Sequence, residues 1–319
     1  MRGADMDINL IKYAIRSSWG ADTAYPMEKY EFLTGHPSVG QCAVSAAVLH
    51  DYAGGGLQRG RVNGLVSHYW NCIDGETVDL TSEQFTPQAA VTDIELTYRE
   101  KLMEDANFCG RYQTLKARAA DFLSRFDALE AEIAQCFACG GAVEKFANRT
   151  VYFGNKGDIL IVGEAPAKNG WRISGKAWRT VEGKLLPSGN RLNELLAFCG
   201  VDLFDCNFFE AVKCHPQGPE KLASCGRNCC SFLEKQIDLL SPRLILTLGK
   251  VPAQILVSNC TPLSELVGKR YILTIHQRNF TVFPIYHPSP VSPKSWSDNL
   301  LLMPALQAAL KEGKSWPGN

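Results

Sequence analysis

The stretch Asp158-Ile-Leu-Ile-Val-Gly-Glu-Ala-Pro166 decides the fold of the second half of this chain. Four apolar residues between an aspartate and a glycine are typical of a strand buried on both faces. The glycine and proline that follow indicate a turn, which carries the acidic residue Glu164. A second stretch of similar plan, Val282-Phe-Pro-Ile-Tyr-His-Pro-Ser-Pro290, predicts another strand and places His287 on the turn that follows it.

Residues 136–319 alternate predicted strands with predicted helices, which favours a mostly parallel sheet covered on both faces. The predicted strands are 159–162, 208–212, 244–248 and 282–286, and the predicted helices are 190–198, 230–240, 251–257 and 300–310. In such a sheet, ligands bind at the carboxyl edge of the strands. We therefore expect Glu164 and His287 to lie at one edge.

The twelve cysteines indicate core residues or metal ligands rather than disulfides, because no secretion signal is predicted. Four of them stand in motifs that suit a metal site: Cys136, Cys139, Cys214 and Cys229. Their spacing suits either zinc or an iron–sulfur cluster and does not separate the two. Cys225 and Cys230 are substitutes for the fourth ligand, and four unrelated buried thiols are the alternative.

Taken together, these motifs resemble those of the iron–sulfur, family 4 members of the uracil-DNA glycosylase superfamily over residues 136–319. The resemblance implies a three-layer α/β/α domain that binds DNA and hydrolyses the bond between a base and its deoxyribose. It also implies a 4Fe–4S cluster on the four cysteines, with Cys229 as the fourth ligand. Glu164 would lie beside the sugar and the attacking water, and His287 would donate to the departing base. The other residues of the first motif are Gly163, Ala165 and Pro166.

The same resemblance implies several contacts to DNA around these two residues. Val291 stands where a leucine wedge fills the gap left by an extruded base, and Ser289 belongs to the same loop. Lys294 would bind a phosphate that flanks the lesion. Ser188 and Gly189 match a small-residue turn before a helix, which suits a phosphate or a base.

One departure from the family bears on the base that is excised. Family 4 enzymes have an asparagine that binds uracil four residues before the third cysteine, and here that position is Glu210. A carboxylate accepts from an exocyclic amine and repels uracil O4. Glu210 therefore favours a cytosine-like or modified base, such as those in phage DNA, and hence a role in phage defence. Uracil is the default base that the family resemblance implies, and a modified cytosine is the runner-up. The inference from Glu210 does not hold if Glu210 is protonated, if Asn207 contacts the base instead, or if the local alignment is shifted.

The loop after the first motif is longer than is usual in the family. Trp171 and Trp178 in this loop are candidates to stack on the flipped base, and Lys168, Arg172 and Lys176 are candidates to contact a phosphate or a base adduct. A surface loop without a ligand is the alternative.

Residues 1–110 predict a smaller α+β domain with a candidate site of its own. Cys42 begins a predicted helix, His68 lies on a predicted strand and Asp79 on a second, which is the order nucleophile, base and orienting acid of thiol enzymes. The surrounding sequence resembles small YunG-like bacterial proteins, from which no activity can be transferred. Three structural polar residues are the alternative. The pattern is helical over 91–135, and 111–135 is predicted to connect the two domains.

Lys and Arg balance Asp and Glu at 33 each, but the two halves differ. Residues 1–135 have 12 Lys/Arg against 19 Asp/Glu, and residues 136–319 have 21 against 14, so the charges are −7 and +7. The basic half favours DNA contact. No signal peptide or membrane span is predicted, so we expect a cytoplasmic protein. Two other functions stay open: a DNA-binding module without catalysis, and a thiol hydrolase centred on Cys42 that the second half delivers to DNA.

Overall fold

The computed structural model describes residues 7–140, 146–215, 218, 221–258, 260–292 and 296–312. The chain divides into two compact units, and the division falls between Arg125 and Phe126. This division lies inside one helix, Ala106–Ala134, which overlaps the predicted connecting helix at 111–135.

The first unit is an α+β fold with a four-stranded antiparallel sheet in the order β3-β2-β1-β4. Its strands are β1 (Gly56–Val62), β2 (Val66–Ile73), β3 (Glu76–Val78) and β4 (Val91–Thr97). The helices that begin in it are α1 (Ile8–Ser17), α2 (Lys29–Leu33), α3 (Cys42–Ala53), α4 (Arg99–Leu102) and α5 (Ala106–Ala134). The apolar helix α3 packs on β2 and on α1, and Val44, Ala47 and Leu49 are fully buried there.

The structure confirms one local prediction in this unit and corrects another. The two strands predicted around His68 and Asp79 are present as β2 and β3, although β3 ends at Val78, one residue before Asp79. They form a hairpin whose turn residues, Asp74 and Gly75, have positive φ, at 52° and 82°. The prediction of helix from residue 91 onward is wrong for its first part, because Val91–Thr97 is strand β4. Four of its seven residues are β-branched, which favours the extended conformation.

The second unit contains a six-stranded sheet in the order β5-β7-β6-β8-β10-β9. Its strands are β5 (Val151–Tyr152), β6 (Ile159–Gly163), β7 (Asn207–Glu210), β8 (Leu244–Leu248), β9 (Tyr271–Ile275) and β10 (Arg278–Ile285). Its helices are α6 (Trp171–Ser174), α7 (Pro187–Phe198), α8 (Leu222–Leu240), α9 (Lys250–Leu256), α10 (Leu263–Leu266), α11 (Trp296–Leu301) and α12 (Met303–Glu312). The four central strands are parallel, as predicted, and the outer strands β5 and β9 are antiparallel to them.

Helices cover both faces of this sheet. On one face, apolar residues of the central strands form a core with α7 and α12, which includes Ile161, Leu246, Phe283, Leu192 and Leu306. On the opposite face, α9 contacts β8 and α8 packs on α9. The predicted fold class, a three-layer α/β/α domain preceded by a smaller α+β domain, is confirmed.

Two helices of this unit begin earlier than the sequence predicts. α7 starts at Pro187 rather than at residue 190, because proline fits the first position of a helix. α8 starts at Leu222 rather than at residue 230, so Cys225 and Cys229 lie one turn apart on it. In the part of the chain that the structure describes, no helix is long and apolar enough to cross a membrane.

Candidate functional site

The carboxyl edge of the parallel strands carries both predicted catalytic side chains. Glu164 directly follows β6 and His287 lies two residues after β10. β8 lies between these strands and is parallel to both. Since neighbouring strands lie about 4.8 Å apart, the two residues leave the sheet about 10 Å apart.

The His287 ring is held as a neutral hydrogen-bond donor. The backbone N–H of Ser289 donates to its Nδ1 at 3.1 Å, so the neutral ring carries its proton on Nε2. Burial lowers the pKa of His287, which favours the neutral form. Gly249, after β8, has φ +84°, and a Cβ there would lie 3.1 Å from the His287 Cβ. A glycine at this position therefore lets the histidine lie close to β8.

The Gly-Glu-Ala-Pro loop is fixed by the segment that follows β7. The N–H of Ala211 donates to the carbonyl of Gly163 at 2.9 Å, and the N–H of Val212 donates to that of Glu164 at 2.9 Å. These bonds continue the pairing of β6 with β7 beyond the last strand residues. Burial raises the pKa of the Glu164 carboxyl.

His215 is a part of this site that the sequence analysis did not single out. Its Nδ1 lies 3.1 Å from the carbonyl of Pro166, and since a carbonyl only accepts, Nδ1 carries the proton. Pro166 is buried and Ala165 is partly exposed beside it. The position of His215 directly after Cys214 is the signal that identifies it, because the bond joins the cysteine segment to the loop of Glu164.

An aromatic wall lies beside the same loop. Phe208, which the sequence analysis also missed, packs on Gly163, where an added Cβ would lie 3.0 Å from the ring. Trp178 packs on Phe208 with ring centroids 4.5 Å apart, and Trp171 packs on it at 5.9 Å. Both predicted stacking residues therefore contact a protein ring, and they are partly buried rather than free on a surface loop.

Glu210, predicted to contact the base, ends β7 and pairs with Gly163 on β6. The indole N–H of Trp171 donates to its Oε1 at 2.6 Å. Its Oε2 is buried and has no hydrogen-bond partner in the described part of the chain. Burial raises the pKa of Glu210 to about 7, against the opposing charge of Arg172. The carboxyl group is thus buried, with one oxygen bound to Trp171 and the other without a hydrogen-bond partner among the described residues.

Two buried cations lie close to Glu210. Arg172 donates from Nη1 to the carbonyl of Lys213 at 2.5 Å and lies 4.3 Å from the Phe146 ring centroid. Lys213 donates from Nζ to the carbonyl of Glu210 at 2.6 Å and lies 4.1 Å from the Phe209 centroid. Burial lowers the pKa of both cations. The prediction that Arg172 binds phosphate is wrong, because its side chain is only 1% exposed.

Asn207 is not brought to the site. It lies at the opposite end of β7 from Glu210, where its side-chain oxygen accepts from the N–H of Gly154 at 3.1 Å. Its side-chain nitrogen donates to the carbonyl of Gly157 at 3.1 Å. Both polar atoms are therefore used by the backbone, which contradicts the alternative that Asn207 contacts the base.

The remaining predicted contacts lie around the strand edge. Ser188 and Gly189 lie in the first turn of α7 rather than before it, and a Cβ on Gly189 would lie 2.9 Å from the Trp178 Cβ. Val291 is 88% exposed, as a wedge residue must be, and its N–H donates to Oγ of Ser289 at 3.4 Å. The predicted phosphate contact Lys294 lies outside the described residues.

The predicted cluster ligands approach one another in the second unit, together with a fifth thiol. Cys136 packs against an apolar cluster that includes Cys214. Burial, followed by the nearby Cys139, Cys229 and Cys214, raises the pKa of Cys225 to about 11. Burial also raises the pKa of Cys229, with contributions from Cys139 and Cys136. No group of three Cys, His, Asp or Glu side chains within the described ranges is arranged to bind a metal ion. The thiols therefore lie in one region of the second unit.

The first unit brings Cys42, His68 and Asp79 together. Cys42 is the first residue of α3, His68 lies on β2, and Asp79 follows β3. Nε2 of His68 donates to Oδ2 of Asp79 at 2.6 Å. Burial by itself would lower the pKa of His68, but hydrogen bonds with Asp79 and Cys42 outweigh it and raise the pKa to about 9.

The second unit is thus an α/β/α domain that carries Glu164 and His287 at the carboxyl edge of its parallel strands. Residues 151–307 match the uracil DNA glycosylase superfamily, and residues 7–124 match the YunG protein family. The chain thus belongs to the uracil DNA glycosylase superfamily and carries a YunG domain before its glycosylase-like domain, as the motifs predicted.

Individual relatives cover each part of the chain. The type-4 uracil-DNA glycosylase of Saccharolobus solfataricus is 31% identical over 176 residues, which is 52% of this chain and 77% of the relative. The type-4 enzyme of Archaeoglobus fulgidus is 29% identical over 179 residues, or 53% and 84%. The uncharacterized protein YunG of Bacillus subtilis is 33% identical over 97 residues, or 30% and 78%.

Proposed function

We propose that the second unit is a DNA glycosylase that hydrolyses the N-glycosidic bond of a base turned out of DNA and leaves an abasic site. The observation that carries this proposal is the pair formed by Glu164 and a neutral His287 at one strand edge. The similarity to type-4 uracil-DNA glycosylases supports this proposal. The 21 Lys/Arg against 14 Asp/Glu in residues 136–319 favour contact with the DNA backbone.

The two residues divide the charge that develops during cleavage. Positive charge builds on the deoxyribose and negative charge on the departing base. Glu164 supplies a negative charge near the sugar and accepts one proton of the attacking water, whose oxygen bonds to C1′. The bond between C1′ and the base nitrogen breaks, and its electron pair leaves with the base. His287 donates from Nε2 to the base oxygen on which this charge accumulates.

Extrusion of the base leaves a gap in the duplex that must be filled. In this proposal Val291 enters the gap, since it is 88% exposed on the loop that also holds His287. A valine reaches less far than the leucine of the family motif. We therefore expect weaker discrimination in favour of duplex over single-stranded DNA than a leucine would give.

Glu210 decides which base is accepted in this proposal. An ionised carboxylate accepts from the exocyclic amine of a cytosine-like base, whereas a protonated carboxyl group donates to O4 of uracil. A pKa raised to about 7 permits both forms near neutral pH. Uracil is the default base, and a modified cytosine of the kind found in phage DNA, with a role in phage defence, is the finer proposal.

A 4Fe–4S cluster on Cys136, Cys139, Cys214 and Cys229 completes the proposal. The convergence of these thiols supports it, because thiolates are the usual ligands of such clusters. A bound cluster would supply rigidity and no electron. This chain's own residues would transmit that rigidity, since His215 follows Cys214 and holds the carbonyl of Pro166 in the catalytic loop.

The choice between Cys229 and Cys225 can be tested by single replacements. We expect Cys229→Ser to lose most of the bound iron and the visible absorbance of the cluster, and Cys225→Ser to keep them. The reverse result would assign the fourth ligand to Cys225. If both variants keep their bound metal and that metal is zinc rather than iron, the iron–sulfur proposal is contradicted.

The activity is tested with oligonucleotides that carry uracil, hypoxanthine, 5-hydroxymethylcytosine or its glucosylated form. Base release is scored as alkali-labile breaks. We expect release from at least one of the four and its loss in Glu164→Gln, with DNA affinity retained. Glu194→Gln is the matched control, because Glu194 is an exposed acid on α7. DNA binding by the wild type without release of any base would instead support a DNA-binding module without catalysis.

A further inference from the structure

The first unit holds a connected chain of polar side chains that the proposed glycosylase does not use. His68 is only 2% exposed, and its Nε2 donates to Oδ2 of Asp79 at 2.6 Å. Cys42 lies close enough to the ring to contribute to its raised pKa. Oδ1 of Asp79 accepts from the N–H of Thr81 at 2.9 Å, which fixes the carboxylate. Nε2 of Gln84 lies 3.3 Å from Nδ1 of the histidine. The imidazole therefore has one defined orientation.

Cys42 is the first residue of α3 and so lies at the N-terminus of that helix. The guanidinium of Arg111 lies close enough for Cys42 and Asp105 to act on its charge, although burial is the larger influence and lowers the Arg111 pKa. Arg111 donates to Asn107 and to the carbonyl of Thr23, and in the described part of the chain it makes no ion pair.

Cys42 opens on a cavity of about 530 Å³. Three aromatic side chains form part of its wall: Tyr25, Tyr69 and Phe108. Arg111 contributes a cation, and Glu28 and Asp105 contribute acids. The volume falls in the range of small-molecule binding sites, and the mixture of aromatic and charged groups is typical of them.

We propose that the first unit is a thiol amidohydrolase in which Cys42 is the nucleophile, His68 the acid and base, and Asp79 the residue that orients the histidine. Its substrate is an amide that joins an anionic acyl group to an amine. Arg111 binds the anionic group, because it is the buried cation of the cavity and has no carboxylate partner among the described residues. Glu28 and Asp105 attract the amine.

The reaction needs only water as a second reactant. The thiolate of Cys42 bonds to the carbonyl carbon, and the carbon–nitrogen bond breaks while His68 gives its proton to the leaving amine. A water molecule then bonds to the same carbon and gives a proton to His68. The carbon–sulfur bond breaks, the acid leaves, and the second water proton remains in solution or on the product. Cys42 returns to its thiolate form and His68 is again protonated.

The nucleophile is tested first by alkylation of the full chain with a limiting amount of iodoacetamide, followed by peptide mass spectrometry. We expect Cys42 to react at least about tenfold faster than Cys72 and Cys109, which are partly buried thiols of the same unit. His68→Ala and Asp79→Asn should reduce Cys42 to the rate of those thiols. Asp74→Asn, in the exposed β2–β3 turn, should not. Equal rates at the three cysteines of the wild type would overturn the proposal.

The substrate class is tested with two activated esters, p-nitrophenyl acetate and mono-p-nitrophenyl succinate. We expect an acyl group on Cys42 by mass spectrometry, with the succinyl ester reacting several-fold faster. Arg111→Gln should remove this preference and Arg111→Lys should keep part of it. Failure of both esters to acylate an alkylation-competent Cys42 would overturn the hydrolase, and a preference unchanged in Arg111→Gln would overturn the anionic substrate. Neither outcome depends on base release by the second unit.

Discussion

The two units hold histidines in opposite environments. His68 donates to the carboxylate of Asp79 at 2.6 Å, and its pKa is raised to about 9 despite burial. His287 accepts at Nδ1 from the N–H of Ser289, and burial lowers its pKa. A carboxylate partner therefore keeps one imidazole protonated, and a backbone amide keeps the other neutral.

The difference between His68 and His287 shows that histidine can serve two kinds of chemistry, depending on its surroundings. A protonated His68 beside Cys42 stabilises a thiolate and can pass a proton to a leaving group. A neutral His287 with its proton on Nε2 donates a hydrogen bond to a base without a competing proton on Nδ1. Burial alone cannot explain the contrast, since burial lowers the pKa of both rings and only His68 has neighbours that raise it.

The prediction with the largest expected effect concerns base release, and it tests the role of neutral His287 as a hydrogen-bond donor. We expect His287→Ala to reduce the single-turnover rate of base release by about 10²–10³-fold, the usual cost of removing one group that stabilises developing charge. DNA affinity should change little. His276→Asn is the matched control, because His276 is an exposed turn histidine with φ +46°. A loss of less than about fivefold in His287→Ala would remove this residue from the mechanism.

A second prediction concerns stability and pH in the first unit. The pKa of His68 is raised from 6.5 to about 9, so its stabilisation is fully present below about pH 6.5 and is lost as pH rises through about 9. The contribution of His287 to stability depends on pH in a different way, because its lowered pKa makes the folded state less stable as pH falls. The contribution of His68 amounts to at most about 3 kcal/mol.

The Asp79→Asn variant tests this prediction, because it removes the carboxylate that raises the pKa of His68. Hydrogen exchange of the β2 amides should show the wild type more stable than the variant at about pH 6, with a smaller gap at about pH 9.5. Asp74→Asn should show no such trend. A gap that is constant with pH would mean that Asp79 acts only through its bond to Thr81.

Much of the strand-edge site could be predicted from the sequence, because its residues lie in short motifs directly after strands. The apolar stretches before Glu164 and His287 define β6 and β10, and a parallel sheet must place their ends on one edge. Cys42, His68 and Asp79 were likewise predicted from their order along the chain. Whether they touch could not be predicted, because the contacts depend on how α3 packs on β2.

The parts that sequence reasoning missed depend on tertiary packing. Nothing local to Arg172 shows that it is buried under Glu210 rather than directed at phosphate. The same holds for Phe208, whose role follows from the close approach of Gly163 on the neighbouring strand. The strand at Val91–Thr97 was missed because most of its residues are exposed and give no clear alternation of apolar and polar side chains.

The smallest expected effect is on base choice, and it extends the comparison to a third titrating group. Oε1 of Glu210 accepts from the indole N–H of Trp171 at 2.6 Å, but burial is the dominant influence on this carboxyl group and raises its pKa to about 7. Uracil release should therefore be favoured below about pH 7, where Oε2 carries a proton, and release of a cytosine-type base above it. We expect the ratio of the two rates to change by about tenfold between about pH 6 and pH 8, the size of one hydrogen-bond difference. Glu210→Gln has an amide that does not titrate in this range, so its ratio should not vary with pH. A wild-type ratio that is equally flat would show that Glu210 keeps one protonation state and that the base is chosen by other groups.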